Sequence, residues 1–563
     1  MDVLSLRNAV IKNVFEKYNV KLSRYDLTYP PEKFGDLSLP CFKIGRIIKK
    51  SPNEISKELS LKDWGDIIES AEAVGPYLNF RINYKGGILW ALRVINEKGS
   101  LLEFSRKNLK VLIEHTSANP TGPLHVGRAR NPIIGDSLAR IMRAYGYDVI
   151  TEYYVDDMGL QIATLLWGCL KYGFPERDDA YEYVKIYQKA SKEVKEKNLQ
   201  NEVLEVLRRY ERGEFKEEMA RVVNTVMRNI LGSLKKLNVR FDSIVNESSF
   251  VFNGDTEKVI DVLSNIGILK KDSSGALYVD LRDVCPELSE GLQDTRMYLT
   301  RSDGTTLYVL RDIAYHVDKG ERADLVINVL GEDHKLEASF IQCIMRVLGK
   351  KPPEVVFYSF VSLPEGRMST REGRVVYLDE IIDEGISRAY KELKQRRPEI
   401  PEEEAREISE KVGIGAVRYG MVKVQLEKPI VFKWEEALSL EGDSAPFVMY
   451  SYVRALGILE KSKDNLRDLK EPIIKNDFER ALLRLILRFR DIVEEAALTR
   501  RPYIIAKYSH DLASTFNNFY EKCPVLSEED EKVRLTRLGL VYITASVLKD
   551  AFSLIGIEMP KKL

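Results

Sequence analysis

The chain has 563 residues, too many for one ordinary hydrophobic core, so several domains are expected. Its 86 basic residues balance 86 acidic ones, which excludes a globally basic polyanion-coating protein; any surface for nucleic acid has to be a local patch. No stretch approaches ~18 uninterrupted apolar residues, so no membrane contact is expected, and the five scattered cysteines (Cys41, Cys169, Cys285, Cys343, Cys523) form no CxxC pair, which supports neither a zinc knuckle nor a disulfide framework. A soluble cytoplasmic protein with reduced thiols is the expectation.

Three parts follow in chain order. Residues 1–105 begin with a helical pattern, continue through a Ser51-Pro52 helix start, and reach "YLNFRINY", an alternating strand after a Gly-Pro turn; this is a small α/β module. Residues 106–436 open on the apolar strand "KVLIEH", a loop reading "HTSANPTGPLHVGRARN", an amphipathic helix "IIGDSLARIMRAYG", and the strand "YDVITEYYV". That order is a βαβ crossover and hence a parallel sheet. A Lys/Glu-rich helical stretch follows and reads as an insertion over about 172–290, lying outside the sheet, before strands return at "ADLVINVLG" and "PEVVFYSFVSL". From 437 to 563 nearly everything has helical period, which predicts an all-α bundle.

In an open α/β sheet, ligands bind beyond the carboxyl ends of the strands, where helix N-termini favour anions. The loop after "KVLIEH" sits there. Gly127 lets a ring or phosphate approach the backbone, His125 can donate to a phosphate oxygen, and Arg128 and Arg130 bring fixed positive charge. The competing reading is a proline-rich turn in which Asn131 caps a helix starting at Pro132. A second loop, "RMSTREG" at 367–373, sets two arginines around a Ser-Thr pair after the strand "VVFYSFVSL" and suits a polyphosphate. Neither GxxxxGK[ST] nor a sheet-opening GxGxxG occurs.

An HxGH-type loop after the first strand and a KMSKS-type loop after the last resemble those of class I aminoacyl-tRNA synthetases. "SANPTGPLHVGRARN" with "RMSTREGRVVYLDEII" is similar to the arginyl-tRNA synthetase family in particular. "FGDLSLPCFKIGR" and "AVGPYLNF" resemble that family's N-terminal tRNA-binding module, and "EGDSAPFVMYSYVRALGIL" resembles the opening of its helical anticodon-binding domain. The resemblance implies a Rossmann-like catalytic domain between these two modules. It also implies an arginine–tRNA ligase that uses ATP with Mg²⁺, holds no tightly bound protein-ligated metal, takes L-arginine and tRNA(Arg) as partners, and is expected to be a monomer.

A specific arginine pocket needs a carboxylate for paired N–H donors and an aromatic group for one face of the guanidinium. In "TTLYVLRDIAYHV", Leu310, Ile313, Ala314 and Val317 form an apolar stripe, while Tyr308, Asp312 and Tyr315 share another face. Tyr308 and Asp312 match the family's YxxxD motif for the substrate side chain; the competing reading has Asp312 pairing Arg311 or His316 on an exposed face. Glu114 and Asn119 match the acidic and amide positions that hold the ammonium and carboxylate, with strand-end capping as the alternative. Asp157 and Gln161 either shape the pocket or cap a helix. His334 stands where the family often has glutamine, and is read either as a substrate contact or as structural.

Two departures touch catalysis. The HxGH loop ends in Arg128, and the KMSKS-type loop reads Arg367-Met368-Ser369-Thr370-Arg371, with threonine for its second lysine. The upstream position that carries a lysine in many such members is Gly122. The resemblance places ATP against His125, Gly127, Arg128, Met368, Ser369, Thr370 and Arg371. Because activation is an in-line attack on the α-phosphate, Arg128 and Arg371 are expected to supply the missing charge, with His125 and Gly127 completing the catalytic group. The class implies transfer to the 2′-hydroxyl of the terminal adenosine, and the family implies that tRNA must be bound first. For tRNA phosphates, "KIGRIIKK" and the i, i+4, i+8 series Arg480, Arg484, Arg488 are candidates, and Tyr450, Tyr452 and Phe519 either stack bases or fill the core. The rival readings are a synthetase-like RNA-binding protein without activation chemistry and a small-molecule adenylyltransferase, for which the helical C-terminal part would be superfluous.

Overall fold

The computed structural model describes residues 2–177, 179–364 and 375–563, and its chain contacts divide into two compact units. One comprises residues 1–104, 438–554 and 558–563; the other comprises 105–437 with 555–557. Among the described residues no helix is long and apolar enough to cross a membrane.

The first unit starts with helix α1 (Val3–Tyr18), capped by the Asp2 side chain. A small antiparallel sheet follows, built from β1 (Leu37–Pro40), β2 (Ile68–Val74) and β3 (Tyr77–Ile82) in the order β1-β3-β2, with helix α2 (Pro52–Ser60) beginning at the expected proline and helix α3 (Tyr84–Lys98) closing the module.

The second unit is built on a five-stranded, all-parallel sheet. Strand β4 (Lys110–Glu114) leads through the His125 loop into helix α4 (Arg130–Ala144), and β5 (Asp148–Val155) pairs beside it. Helices α5 (Leu160–Tyr172), α6 (Ala180–Glu196), α7 (Gln200–Glu211) and α8 (Lys216–Lys236) then pack on one another. The expected insertion is not one excursion, because β6 (Ser243–Asn246) returns within it as an edge strand beside β5. Helices α9 (Glu247–Phe252) and α10 (Asp255–Ile266) precede a three-stranded antiparallel sheet of β7 (Leu269–Lys271), β8 (Leu277–Asp280) and β9 (Arg296–Tyr298). The chain then forms α11 (Tyr308–Arg322), β10 (Leu325–Gly331), α12 (Lys335–Val347) and β11 (Glu354–Tyr358), followed by α13 (Leu378–Arg396) and α14 (Glu402–Val422).

The strand order β11-β10-β4-β5-β6 means that the chain winds outward from β4 in one direction and later in the other, so the topological switch lies between β4 and β10. Both faces are covered. Ile134, Leu138 and Met142 of α4 pack on Val111, Ile113, Ile327 and Val329, and a second core gathers Leu310, Ile313 and Ala314 of α11 with Phe340, Ile341 and Ile344 of α12. That second core also corrects the cysteine expectation: Cys285 and Cys343, 58 residues apart, form a disulfide. Their spacing carries no motif because helix packing brings the two together. The tail Ile555–Ile557 also belongs to this unit. Arg418 Nε donates to Ile555 O (2.9 Å), and Gly556, at φ +71°, lies so close to the Arg418 guanidinium that a Cβ there would overlap it.

The first unit is completed by α15 (Ala445–Lys461), α16 (Asp477–Thr499), α17 (Tyr503–Lys522) and α18 (Glu531–Leu554), which pack mutually as a bundle. Helix α16 lies against α1: Arg7 Nε and Nη2 donate to the two oxygens of buried Asp491 (2.7 and 2.9 Å). The same helix overturns two tRNA expectations. Arg484 pairs with Asp36 (3.2 Å) and donates to Gly35 O (2.7 Å), and the Arg488 guanidinium lies 4.0 Å from the centre of the Tyr29 ring. These arginines face the N-terminal module because α16 turns its charged stripe inward there; Arg480 lies in the helix's first turn.

Candidate active site

At the end of β4 the backbone turns sharply, with Thr116 and Ser117 at positive φ (76° and 38°). The turn is held from several sides. Thr116 N–H donates to Asn131 Oδ1 (2.8 Å), Asn131 Nδ2 donates to Val329 O on β10 (3.0 Å), and the buried Tyr153 hydroxyl donates to Ala118 O (3.0 Å). Asn131 is therefore no cap: it lies inside α4 and bridges β4 to β10. The chain then runs through a short 3₁₀ turn (Val126–Arg128) into α4. Val126 N–H donates to Val376 O (2.9 Å) and Leu378 N–H to Leu124 O (2.7 Å), so the chain just after residue 374 is fixed to the His125 loop. Residues Met368, Ser369, Thr370 and Arg371 lie outside the described residues.

A cavity of about 670 Å³ opens at the β4–β10 switch, lined by His125, Gly127 and Arg128 on one side and by Glu114, Asn119, Tyr308, Asp312 and His334 further along. The expected residues of the described chain are thus brought together. Arg128 is exposed, and His125 has its Nδ1 buried without a hydrogen-bond partner among the described residues. Burial, with Arg128 adding to it, pushes the His125 pKa down to about 4, so the ring is neutral at physiological pH. Arg130 departs from expectation: fully buried, it donates to the carbonyl oxygens of Ser359, Lys428, Gln425, Val424 and Leu426 (2.7 to 3.2 Å) and ties α4 to the chain after α14. At Gly122 a Cβ would come within 2.2 Å of Val184 on α6, so helix α6 leaves no room for a larger side chain there.

The other end of the cavity is acidic. Helix α11 presents Asp312 there, and α9 and the segment after β5 add Glu247 and Asp156, two residues that the motif reading missed. Glu247 is buried and pairs through Oε1 with Arg311 Nε (2.7 Å); burial raises its carboxyl well above the usual range, with Arg311 opposing that rise. Desolvation first, and then the charges of Glu247 and Glu114, push the Asp312 carboxyl up to about 8. Asp312 pairs with neither Arg311 nor the His316 ring, whose Nδ1 meets only the Asp312 backbone carbonyl (2.7 Å). Tyr154 lines this end too and stacks on Tyr315 with ring centres 4.1 Å apart. Tyr308 donates to Glu337 Oε1 (2.8 Å), and His334 Nδ1 reaches the other oxygen of Glu337 (3.1 Å), a contact that raises the His334 pKa.

Helix α11 is fixed in register by the sheet beneath it. Asn328, Glu114 and Glu152 are cross-strand neighbours on β10, β4 and β5, so their side chains form one row on one face. Lys319 and Arg322, three apart on the helix, land on that row: Lys319 donates to Glu114 (2.7 Å) and Asn328 (2.9 Å), while Arg322 grips both oxygens of Glu152 (2.8 Å each). Gln161 faces the cavity and accepts from Asn119 Nδ2 (3.2 Å), whereas Asp157 accepts from Ser248 N–H and Oγ and from Asn246 and so caps α9.

The comparisons agree with this geometry. Residues 92–434 match the model of the class I tRNA synthetase (R) catalytic domain, 448–563 the DALR anticodon binding domain, and 5–82 the arginyl tRNA synthetase N terminal domain. The chain is 42% identical to the arginine–tRNA ligase of Methanocella arvoryzae over 94% of both chains. It is 40% identical to that of Methanothermobacter thermautotrophicus over 98% of both. It is similar in structure to Thermus thermophilus arginyl-tRNA synthetase, with a TM-score of 0.86 at 30% identity over the whole of both chains. An acidic cavity beside an HxGH-type loop, in a chain matched from end to end, places this protein in the arginyl-tRNA synthetase family of class I synthetases, the arginine–tRNA ligases.

Proposed function

We propose that this cavity is where the chain activates L-arginine with ATP, taken as its magnesium complex, before passing the arginyl group to tRNA(Arg). One observation carries the reading: four acidic residues, Glu114, Asp156, Glu247 and Asp312, line the same cavity as the His125–Arg128 turn. Such a charge distribution suits a substrate with two cationic groups. Asp312 and Glu247 take the guanidinium N–H groups, Tyr308 and Tyr154 cover its faces, and Glu114 takes the α-ammonium. Asn119, steadied by Gln161, holds the carboxylate near His125.

In that placement an arginine carboxylate oxygen attacks the α-phosphorus, the new O–P bond forms as the bond to pyrophosphate breaks, and arginyl-adenylate results. Neutral His125 donates one ring N–H to a phosphate oxygen. Arg128 and the N-terminus of α4 offset charge on the phosphates, with Arg371 acting from beyond the described residues. The 2′-hydroxyl of the terminal adenosine then attacks the carbonyl carbon and AMP leaves. The lining residues of the cavity come from one chain, which supports a monomer; a cytoplasmic setting belongs to the same reading.

For tRNA, the half-exposed Tyr450 (44%) and Tyr520 (42%) flank Arg454, whose guanidinium lies 4.8 and 4.9 Å from their ring centres. This group suits splayed bases and lies within the matched anticodon-binding domain, whereas Tyr452 and Phe519 are core residues. The test is pyrophosphate exchange and tRNA charging with each amino acid, with and without tRNA. Arginine-only charging, with exchange appearing only when tRNA is added, is expected; tight tRNA binding with no exchange for any amino acid would favour the synthetase-like RNA-binding protein instead.

A further inference from the structure

We propose that Lys319 is a positioning residue for the substrate: it holds and aims the Glu114 carboxylate so that this carboxylate, and not the group of Asp156, Glu247 and Asp312, receives the α-ammonium of arginine. The inference rests on the reading of Glu114 given above and adds the residue that sets it.

The Lys319 side chain is fully buried. Its three ammonium protons have three acceptors: Glu114 Oε2 at 2.7 Å, Asn328 Oδ1 at 2.9 Å and His316 Nε2 at 3.1 Å. The face of Tyr315 lies 4.0 Å away. His316 fits this role as a neutral ring, since burial holds its pKa well below the usual value and Lys319 lowers it further. With Nδ1–H donating to Asp312 O and the single Nε2 lone pair shared between Asn328 Nδ2 (2.7 Å) and Lys319 Nζ, every polar atom of the cluster has a partner. A buried ammonium held in this way is fixed in position.

The consequence falls on Glu114. Its Oε1 accepts from Ser117 Oγ (2.8 Å) and its Oε2 from Lys319, so one lone pair on each oxygen stays open while the residue faces the cavity. The acidic residues of the cavity therefore differ in their partners. Glu114 is paired with a lysine, whereas in the group of Asp156, Glu247 and Asp312 the ion pair found among the described residues is Arg311 with Glu247. A compact ammonium is served by Glu114 and a delocalised, five-donor guanidinium by that group. Arginine bound in reverse would set its own carboxylate among three acidic groups. Lys319 thus gives the cavity a direction.

Calorimetry on the full-length protein tests this with two ligands, L-arginine and its 2-hydroxy analogue, in which a hydroxyl replaces the α-ammonium. The wild type is expected to prefer L-arginine. Lys319→Met is expected to weaken L-arginine by at least about tenfold while leaving the analogue within about twofold, Lys319→Arg to keep most of the preference, and Lys319→Met to add nothing in a Glu114→Gln background. Equal weakening of both ligands would mean that Lys319 only holds the helix, and unchanged or tighter L-arginine binding by Lys319→Met would also overturn the proposal. If Glu114→Gln keeps the wild-type preference, the reading of Glu114 itself falls; if Glu114→Gln loses it and Lys319→Met keeps it, only the role of Lys319 falls. Should Lys319→Met fail to fold, Asn328→Asp offers the ammonium a competing carboxylate one strand away. A folded Asn328→Asp with undiminished preference would equally overturn the assignment.

Discussion

Tyr308 and His334 meet on one carboxylate: the phenol donates to Glu337 Oε1 at 2.8 Å and the imidazole Nδ1 lies 3.1 Å from Oε2. Glu337 thereby holds a side chain from α11 and one from the turn before α12 at the same wall of the cavity. Glu337→Ala frees both. The arginine KM should rise about three- to tenfold with a smaller change in kcat, the pattern of lost ground-state positioning. Steady-state charging assays check it.

Asp312 gives a pH dependence with a definite sign. Burial, with the charges of Glu247 and Glu114, pushes its carboxyl up to about 8, so below that pH it is mostly protonated. A guanidinium favours the ionised form, so arginine binding near pH 7 must expel a proton, and affinity should climb as pH rises through about 8 and then level off. Calorimetry in buffers of different ionisation enthalpy should register proton release that Asp312→Asn diminishes, with Glu247 supplying the remainder; proton uptake would contradict the assignment.

Arg128 and Arg130, two residues apart, should behave as opposites. Arg128 is exposed at the cavity, so Arg128→Ala should lower the pyrophosphate-exchange kcat by about 10²-fold or more with an unchanged melting temperature, and Arg128→Lys should recover part of it. Arg130 is spent on backbone carbonyls. Its alanine variant should lose stability, on the order of 3 kcal/mol, before any specific kinetic effect appears. Denaturant melts run beside exchange assays separate the two profiles.

The Cys285–Cys343 bond closes a loop that contains all of α11. For a separation of 58 residues, the loop-entropy model assigns about 4 kcal/mol to it. Unfolding in denaturant with and without reductant should show a loss of that order for the wild type and none for a Cys285→Ser, Cys343→Ser double variant.

In the helical bundle, Arg454→Ala or Tyr450→Ala should weaken tRNA binding about tenfold, the scale of one lost base-stacking contact, and leave arginine affinity alone. Arg488→Ala should instead disturb the packing of α16 against Tyr29, which a thermal melt would reveal.

Much of the site is legible in the chain because its parts are local. The His125–Arg128 turn follows a strand and precedes a helix, and Tyr308 and Asp312 share a face through simple helical spacing. Glu247 is silent in sequence because nothing short-range marks it: it becomes a cavity residue only when β6 returns to the sheet and starts α9 there. Lys319 is hidden for the same reason. Its partner Glu114 lies 205 residues away, and the pairing depends on parallel strand register. Arg484 and Arg488 misled because an i, i+4 stripe of arginines looks the same whether it faces water or another module.

One compact unit takes its pieces from the two ends of the chain, and Arg7 meets Asp491 across 484 residues. Synthesis on the ribosome therefore delivers the N-terminal module long before the helices that bury its charged face. The face of α1 that carries Arg7 must wait, exposed, until the catalytic part has emerged and α16 follows. Contacts so distant are slow to close, so α1 should acquire its final protection from hydrogen exchange among the latest.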